Sequence, residues 1–177
     1  MAGKHAQDLR RRMDAAFANL TGQLQGMEPH MERADAPGEW TTREVLSHLL
    51  FEHGYEPAAQ LASFSEQDYP MIEIDPGDTF LDDQRRRMTL AQFEELLDTQ
   101  RRQVLAYVDG LDEREFDRRK ARIPLFKQFM GTDEITLDMY LGAMFDFHWN
   151  DHAGQLEKIR HAVGLGSVRA RPGAAHA

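Results

Sequence analysis

The chain has 177 residues, of which 41% are hydrophobic and 29% charged, with a formal net charge of −9 and no cysteine. That is the make-up of one globular domain with a genuine core. It excludes disulfides, cysteine-ligated metal and a protein thiol nucleophile, and it argues against general nucleic-acid binding, which needs basic surface to displace counterions.

In chain order, the first helix is expected from about Lys4 to Arg33. Met13, Phe17, Leu20, Leu24, Met27 and Met31 alternate spacings of four and three, a seam suited to shallow-angle helix packing. Pro37 and Gly38 break the chain. A second helix opens at Thr41 or Thr42, where Thr41 and Glu44 form a capping-box pattern beside Trp40. Val45, Leu46, Leu49 and Leu50 carry it onward, and it is expected to reach about Phe64 with a kink at Pro57. A long loop rich in Asp, Pro and Gly then runs from about Ser65 to Met88, a length that suits a crossover or a lid. Thr89 and Gln92 open a third helix through another capping box, and Gly110 ends it. A second irregular segment covers about Asp112 to Gly131. The fourth helix starts between Thr132 and Thr136 and stops by Gly164.

Four amphipathic helices with few credible strands predict an all-α four-helix bundle. The domain is expected over residues 1–165, with a disordered tail over 166–177. No stretch approaches the roughly 20 apolar residues of a membrane span. The N-terminal residues lack the apolar run of a signal peptide, so a cytoplasmic location is expected. The basic clusters at Arg10–Arg12, Arg85–Arg87 and Arg118–Lys120 read as solvated faces, with attraction of an anionic substrate as the sharper alternative.

The chemistry concentrates in three histidines. On the fourth helix the apolar stripe Leu137, Leu141, Met144, His148, His152, Leu156, Ile159, Val163 contains two imidazoles one turn apart. Such a pair can hold one ion from a single helix. His48 similarly interrupts the stripe of the second helix, on a face shared with Val45, Leu49 and Glu52. Three imidazoles leave a position open for water or substrate, as catalytic zinc sites do. Two hydrogen-bonded core histidines without an ion are the competing reading. Glu52 is a candidate fourth ligand, orienting group or general base, and equally an exposed helix glutamate. Asp146 and Asp151 flank the pair and are candidates to orient an imidazole, while Gln155 lies near the stripe. His53 points roughly 140° away from His48, and His5, His30, His161 and His176 read as surface residues. Trp149 follows His148 where the zinc-protease motif needs Glu, and no Glu precedes a His by three residues as in di-iron bundles.

The segments Trp40-Thr-Thr-Arg-Glu-Val-Leu-Ser-His48-Leu and His148-Trp-Asn-Asp-His152-Ala-Gly-Gln-Leu156, with their order and separation, resemble the DinB-like (DinB/YfiT) superfamily over about residues 5–165. The resemblance implies a four-helix bundle whose His48, His148 and His152 hold a divalent metal, often zinc or nickel. It also implies a frequent homodimer. Characterised relatives include transferases and isomerases that use low-molecular-weight thiols such as mycothiol or bacillithiol. The leading expectation is therefore a metal-dependent enzyme acting on a small molecule, with any thiol arriving as cosubstrate. A non-enzymatic metal-binding or stress-response protein is the alternative, and a helical interaction module with a vestigial site is the third. Imidazoles suit several ions, and Glu52 in the coordination sphere favours iron or manganese.

Overall fold

A computed structural model describes residues 3–168. Helix α1 spans Lys4–Gln23, α2 Thr42–Leu49, α3 Pro57–Ser63 and α4 Leu90–Asp109. Then come α5 (Glu115–Arg118), β1 (Lys120–Arg122), α6 (Lys127–Met130) and β2 (Glu134–Thr136). The chain ends in α7 (Leu137–Gly142), a π-helical turn over Ala143–Phe147 and α8 (His148–Ala162). Helix α1 lies along α8 and also touches α4, while α2 packs on both α8 and α4, which closes the bundle.

Both capping boxes form. Thr41 and Glu44 exchange side-chain and backbone hydrogen bonds at the start of α2, and Thr89 and Gln92 do the same for α4. Helix α4 begins and ends where the sequence places it, with Gly110 at its C-cap. The α1 seam is buried at Met13, Leu20, Leu24, Met27 and Met31, but the helix stops at Gln23. Gly26 adopts a left-handed φ of 77°, and Glu28–His30, with Pro29 inside it, forms only a 3-10 turn. The lower seam residues therefore reach the core from turns instead of a continuous helix.

The second helix departs more sharply from expectation. It does not run to Phe64; α2 ends at Leu49 and α3 is a separate helix with Pro57 in its first turn. Between them Phe51 and Gly54 have φ of 59° and 80°. For Phe the left-handed region costs about 1–2 kcal/mol, so other contacts must enforce the stop. Two of them are visible at the carbonyl end of α2. Arg85 donates to the Ser47 carbonyl at 2.9 Å, and Gln100 donates to the Leu49 carbonyl at 3.2 Å. These satisfy carbonyls that a terminating helix leaves without intrahelical partners.

Arg85 has a wider role. It is buried, and the same guanidinium nitrogen also reaches the Ser47 hydroxyl and the Phe80 carbonyl, each at 3.2 Å. Arg43 in turn donates to the carbonyls of Arg85 (3.0 Å) and Met88 (2.6 Å). The segment from Phe80 to Met88 is thereby tied to α2. The long 65–88 loop is further fixed at its start by backbone pairing of Ser65 with Lys120 and of Met71 with Arg122. The irregular 112–131 segment supplies β1, which pairs antiparallel with β2 through Lys120–Thr136, Ala121–Ile135 and Arg122–Glu134.

The last helix buries two adjoining stripes. Phe145, Trp149 and Ala153 pack inward, and Trp149, with 0% exposure, meets Phe17 of α1 at 5.8 Å between ring centroids. Met144, His152 and Leu156 form the second stripe, with His148 partly buried. In the last turn of α8, Arg160 donates to the Gln23 carbonyl at 2.9 Å and the Gly166 carbonyl at 3.1 Å, and His161 meets Ser167 at 2.9 Å. The expectation of a disordered tail falls, from residue 169 onward, outside the described residues. No helix among the described residues is long and apolar enough to cross a membrane.

Candidate metal centre

Helix α2 delivers His48 in its last turn, and α8 delivers His148 and His152 in its first two. The π turn immediately before His148 matters here. Its wider hydrogen-bonding repeat changes the register of the helix just ahead of the pair, a feature often found at functional sites. The three histidines converge. Nε2 of His148 lies 3.0 Å from Nε2 of His48 and 3.0 Å from Nε2 of His152. Among the described residues, these three form the cluster of His and acidic side chains with metal-ligand spacing.

The proton positions follow from the outer partners. Nδ1 of His48 sits 2.7 Å from the Asp78 carbonyl, which can only accept, so this nitrogen carries the hydrogen. Nδ1 of His152 donates to Oε1 of Gln155 at 2.8 Å. In both neutral rings Nε2 is then a bare lone pair aimed into the cluster. Nδ1 of His148 is buried without a hydrogen-bond partner. With its proton on Nε2, His148 can donate to one neighbour only and leaves the other's lone pair without a hydrogen; with the proton on Nδ1, both 3.0 Å contacts set lone pair against lone pair. A single cation among the three removes that conflict. Zinc–imidazole bonds of about 2.0–2.1 Å bring nitrogens about 2.9 Å apart at right angles and about 3.4 Å apart in a tetrahedron, so the donor set and its spacing fit a divalent ion.

Electrostatics agree. Burial, reinforced by the neighbouring His152 and His48, holds His148 down to about 3. His48 and His152 are likewise lowered, chiefly by burial. The rings are thus neutral near pH 7, the state that ligates metal. Aromatic side chains fix their planes: Trp40 stacks on His152 with centroids 6.1 Å apart and tilts against His48 at 4.9 Å. Phe80 stacks on His48 at 6.4 Å, and Phe51 lies 6.4 Å from His148. Phe51 and Phe80 are also, among the described residues, the two non-glycine residues with left-handed backbones, at φ 59° and 51°. Strained residues that flank the cluster are backbone conformations the surrounding structure has to enforce.

The other predicted residues are placed as follows. Glu52 lies past the end of α2 and therefore does not continue the helical face of His48; its side chain is exposed and lines the pocket beside the histidines. Asp151 is exposed on the same pocket wall. Asp146 turns away to Arg12 at 3.2 Å and to Asn150 at 3.0 Å. His53 points elsewhere and meets Asp82 at 2.5 Å. His5 is half-buried against Phe116 and pairs with Asp138 at 2.9 Å, and His176 lies outside the described residues. Of two orienting groups, Gln155 was placed near the stripe by the sequence but not assigned to His152, although i, i+3 spacing puts it beside that ring. The other, the Asp78 carbonyl, was not detectable, since its position depends on how the long loop is tied down.

A four-helix bundle whose two facing helices bring three neutral imidazoles to one point, with a pocket alongside, fits a mononuclear metal site with an open side. No family model matches the chain, and no curated protein matches it. Among solved structures it is similar to YfiT from Bacillus subtilis, described as "a probable metal-dependent hydrolase with an unusual four-helix bundle topology". The TM-score is 0.70 at 18% identity, over 94% of this chain and 92% of that one. The likeness establishes the fold: this chain is a YfiT-like four-helix bundle.

Proposed function

We propose that the protein is a divalent-metal-dependent enzyme of small-molecule chemistry, with His48, His148 and His152 as the metal ligands. The observation that carries this is the convergence of three Nε2 atoms whose protons are held on the far side of two rings. A structural ion needs no access, whereas this cluster borders a cavity of about 770 Å³, a volume in the range of ligand pockets. That favours catalysis over a purely structural or sensory site. Zinc or nickel suits an all-imidazole set, and iron or manganese would follow if Glu52 joined it.

When bound, such an ion supplies Lewis acidity, acidifying a water or thiol and polarising a substrate carbonyl. The residues of the chain do the rest. Asp78 and Gln155 keep the imidazoles in one tautomer and orientation. Phe51 and Phe80 shield the rings and keep bulk water from them. Glu52, exposed on the pocket wall, accepts the proton of the incoming nucleophile and returns it to the leaving group. Hydrolysis matches the description of the YfiT structure, and transfer to a low-molecular-weight thiol is the variant implied by the resemblance of the two histidine segments. The chain has no cysteine, so such a thiol is a cosubstrate. A homodimer belongs to the same proposal, on the resemblance of the two histidine segments.

The test is metal content with an activity screen on protein purified without a nickel column. About one equivalent of metal is expected, with turnover of an ester and amide panel or of an electrophile plus thiol. Activity should disappear on chelation and in His48→Ala. Glu52→Gln should keep the metal and lose roughly 10²–10⁴-fold in rate. Activity that survives complete metal removal contradicts the proposal.

A further inference from the structure

The cavity beside the histidines has a chemical character of its own. Its inner walls are apolar, formed by Phe51, Ile72, Ile74, Phe80, Phe126 and Met139. Its rim carries Phe129 and Phe147, which are 74% and 73% exposed despite their size. Large apolar side chains held in water around a concave apolar space favour an apolar occupant.

The charges around it are mostly negative. Glu52, Glu73, Asp75, Asp138 and Asp151 line the cavity, and Arg12 is the cation among its lining residues. Arg12 is already engaged, by Asp8 at 3.0 Å and Asp146 at 3.2 Å. No member of the Arg85–Arg87 or Arg118–Lys120 cluster is among the lining residues. Arg85 is buried against backbone carbonyls and the Ser47 hydroxyl, and Arg119 donates to the carbonyls of Ala62 and Phe64 at 2.8 Å each. Among the described lining residues five carboxylates face one guanidinium that is already paired; even with a divalent ion on the histidines the negative charges outnumber the positive, so an anion distant from that ion is repelled at low salt.

Two phenols supply a neutral polar point in the apolar wall. The hydroxyls of Tyr55 and Tyr140 are 3.5 Å apart, a long contact that leaves each hydrogen-bonding capacity to spare. Burial raises both well above the ordinary phenol range, so they stay protonated and can donate to an uncharged oxygen or nitrogen.

From this we infer that the cavity selects a small molecule with an apolar body and no anionic group, and discriminates against anionic molecules of the same size and shape. The inference rests on the proposed metal enzyme for what happens to that molecule. Its selectivity is a separate property of the cavity walls. It narrows the substrate class to uncharged or cationic apolar compounds and excludes phosphate esters, nucleotides and acyl carriers with phosphate groups.

A matched pair of fluorescent molecules tests it. N-phenyl-1-naphthylamine and 8-anilinonaphthalene-1-sulfonate share an aromatic skeleton and differ by one sulfonate. The full chain should bind the amine at one site per chain and the sulfonate at least tenfold more weakly at low ionic strength. The gap should shrink in high salt, where charges are screened. The variant Glu73→Lys changes an exposed side chain and should strengthen sulfonate binding at least threefold, with amine binding within twofold of the parent. Ile74→Trp, which fills the wall, should weaken the amine at least fivefold. Equal or tighter sulfonate binding by the parent overturns the inference. So does an unchanged ratio after charge reversal, or amine binding indifferent to Ile74→Trp. Measurements on zinc-loaded and chelator-treated protein separate the two proposals. Selectivity in a protein that takes up no zinc on loading sinks the enzyme reading alone, and zinc uptake without selectivity sinks this one alone.

Discussion

Gln155→Leu isolates the outer hydrogen bond that orients His152. The amide oxygen accepts from Nδ1 of His152 at 2.8 Å, and leucine preserves much of the side-chain volume while removing the acceptor. Without it the imidazole gains a second tautomer whose Nε2 carries a proton and cannot ligate, and the ring loses its angular restraint. Outer partners of metal-bound histidines are worth about 10–100-fold in affinity, or roughly 1.4–2.7 kcal/mol. Gln155 is only partly buried, so the metal-free fold should change by less than about 1 kcal/mol. The assay is competition for zinc or cobalt against a chromophoric chelator at pH 7.5, alongside urea unfolding of the metal-free protein. Gln155→Glu keeps an acceptor and should stay within a few-fold of the parent. An unchanged affinity in Gln155→Leu, with the fold intact, would refute the argument that this contact fixes the tautomer.

Other outcomes follow from the same geometry. The metal-free protein should lose stability as the pH falls below about 6.5. All three histidines have lowered values in the fold, so the unfolded chain takes up protons first. For His148, a drop from 6.5 to about 3 corresponds to a loss of at most about 4–5 kcal/mol on reaching the lower value; urea midpoints flat between pH 7 and 4 would contradict it. Arg85→Met removes the buried guanidinium that ties the Ser47 and Phe80 carbonyls together. It should cost roughly 3 kcal/mol and also weaken metal binding, because the loop that presents the Asp78 carbonyl to His48 is released. Calorimetry and the chelator competition measure the two effects, and a destabilised variant with parental metal affinity would separate the loop from the site. Thr41→Ala breaks the capping box at the start of α2 and should cost about 1 kcal/mol, read as a lower urea midpoint.

The legible parts of this sequence were those governed by local rules. The capping boxes at Thr41 and Thr89 and the Gly110 stop define helix ends through contacts three or four residues apart. The histidines showed because they interrupt apolar stripes at helical spacing. What escaped was set by contacts across the fold. Nothing local marks Leu49 as the end of α2; residues 36 and 51 positions further on, Arg85 and Gln100, cap the carbonyls there. The strands pair over only three residues each, too short for a period-two pattern to register. The π turn at Ala143–Phe147 leaves the i, i+4 histidine spacing intact and so was invisible to it. Glu52 shows the same limit, since its helical relation to His48 was extrapolated through a helix that stops first.

The central claim is that three imidazoles hold one ion, and X-ray absorption at the metal edge tests it directly. Protein loaded with one equivalent of zinc should show three imidazole shells at about 2.0–2.1 Å with at least one further light-atom ligand. His148→Ala should lose one imidazole or fail to retain the metal. A spectrum with at most one imidazole, or one identical in His148→Ala, would contradict the account.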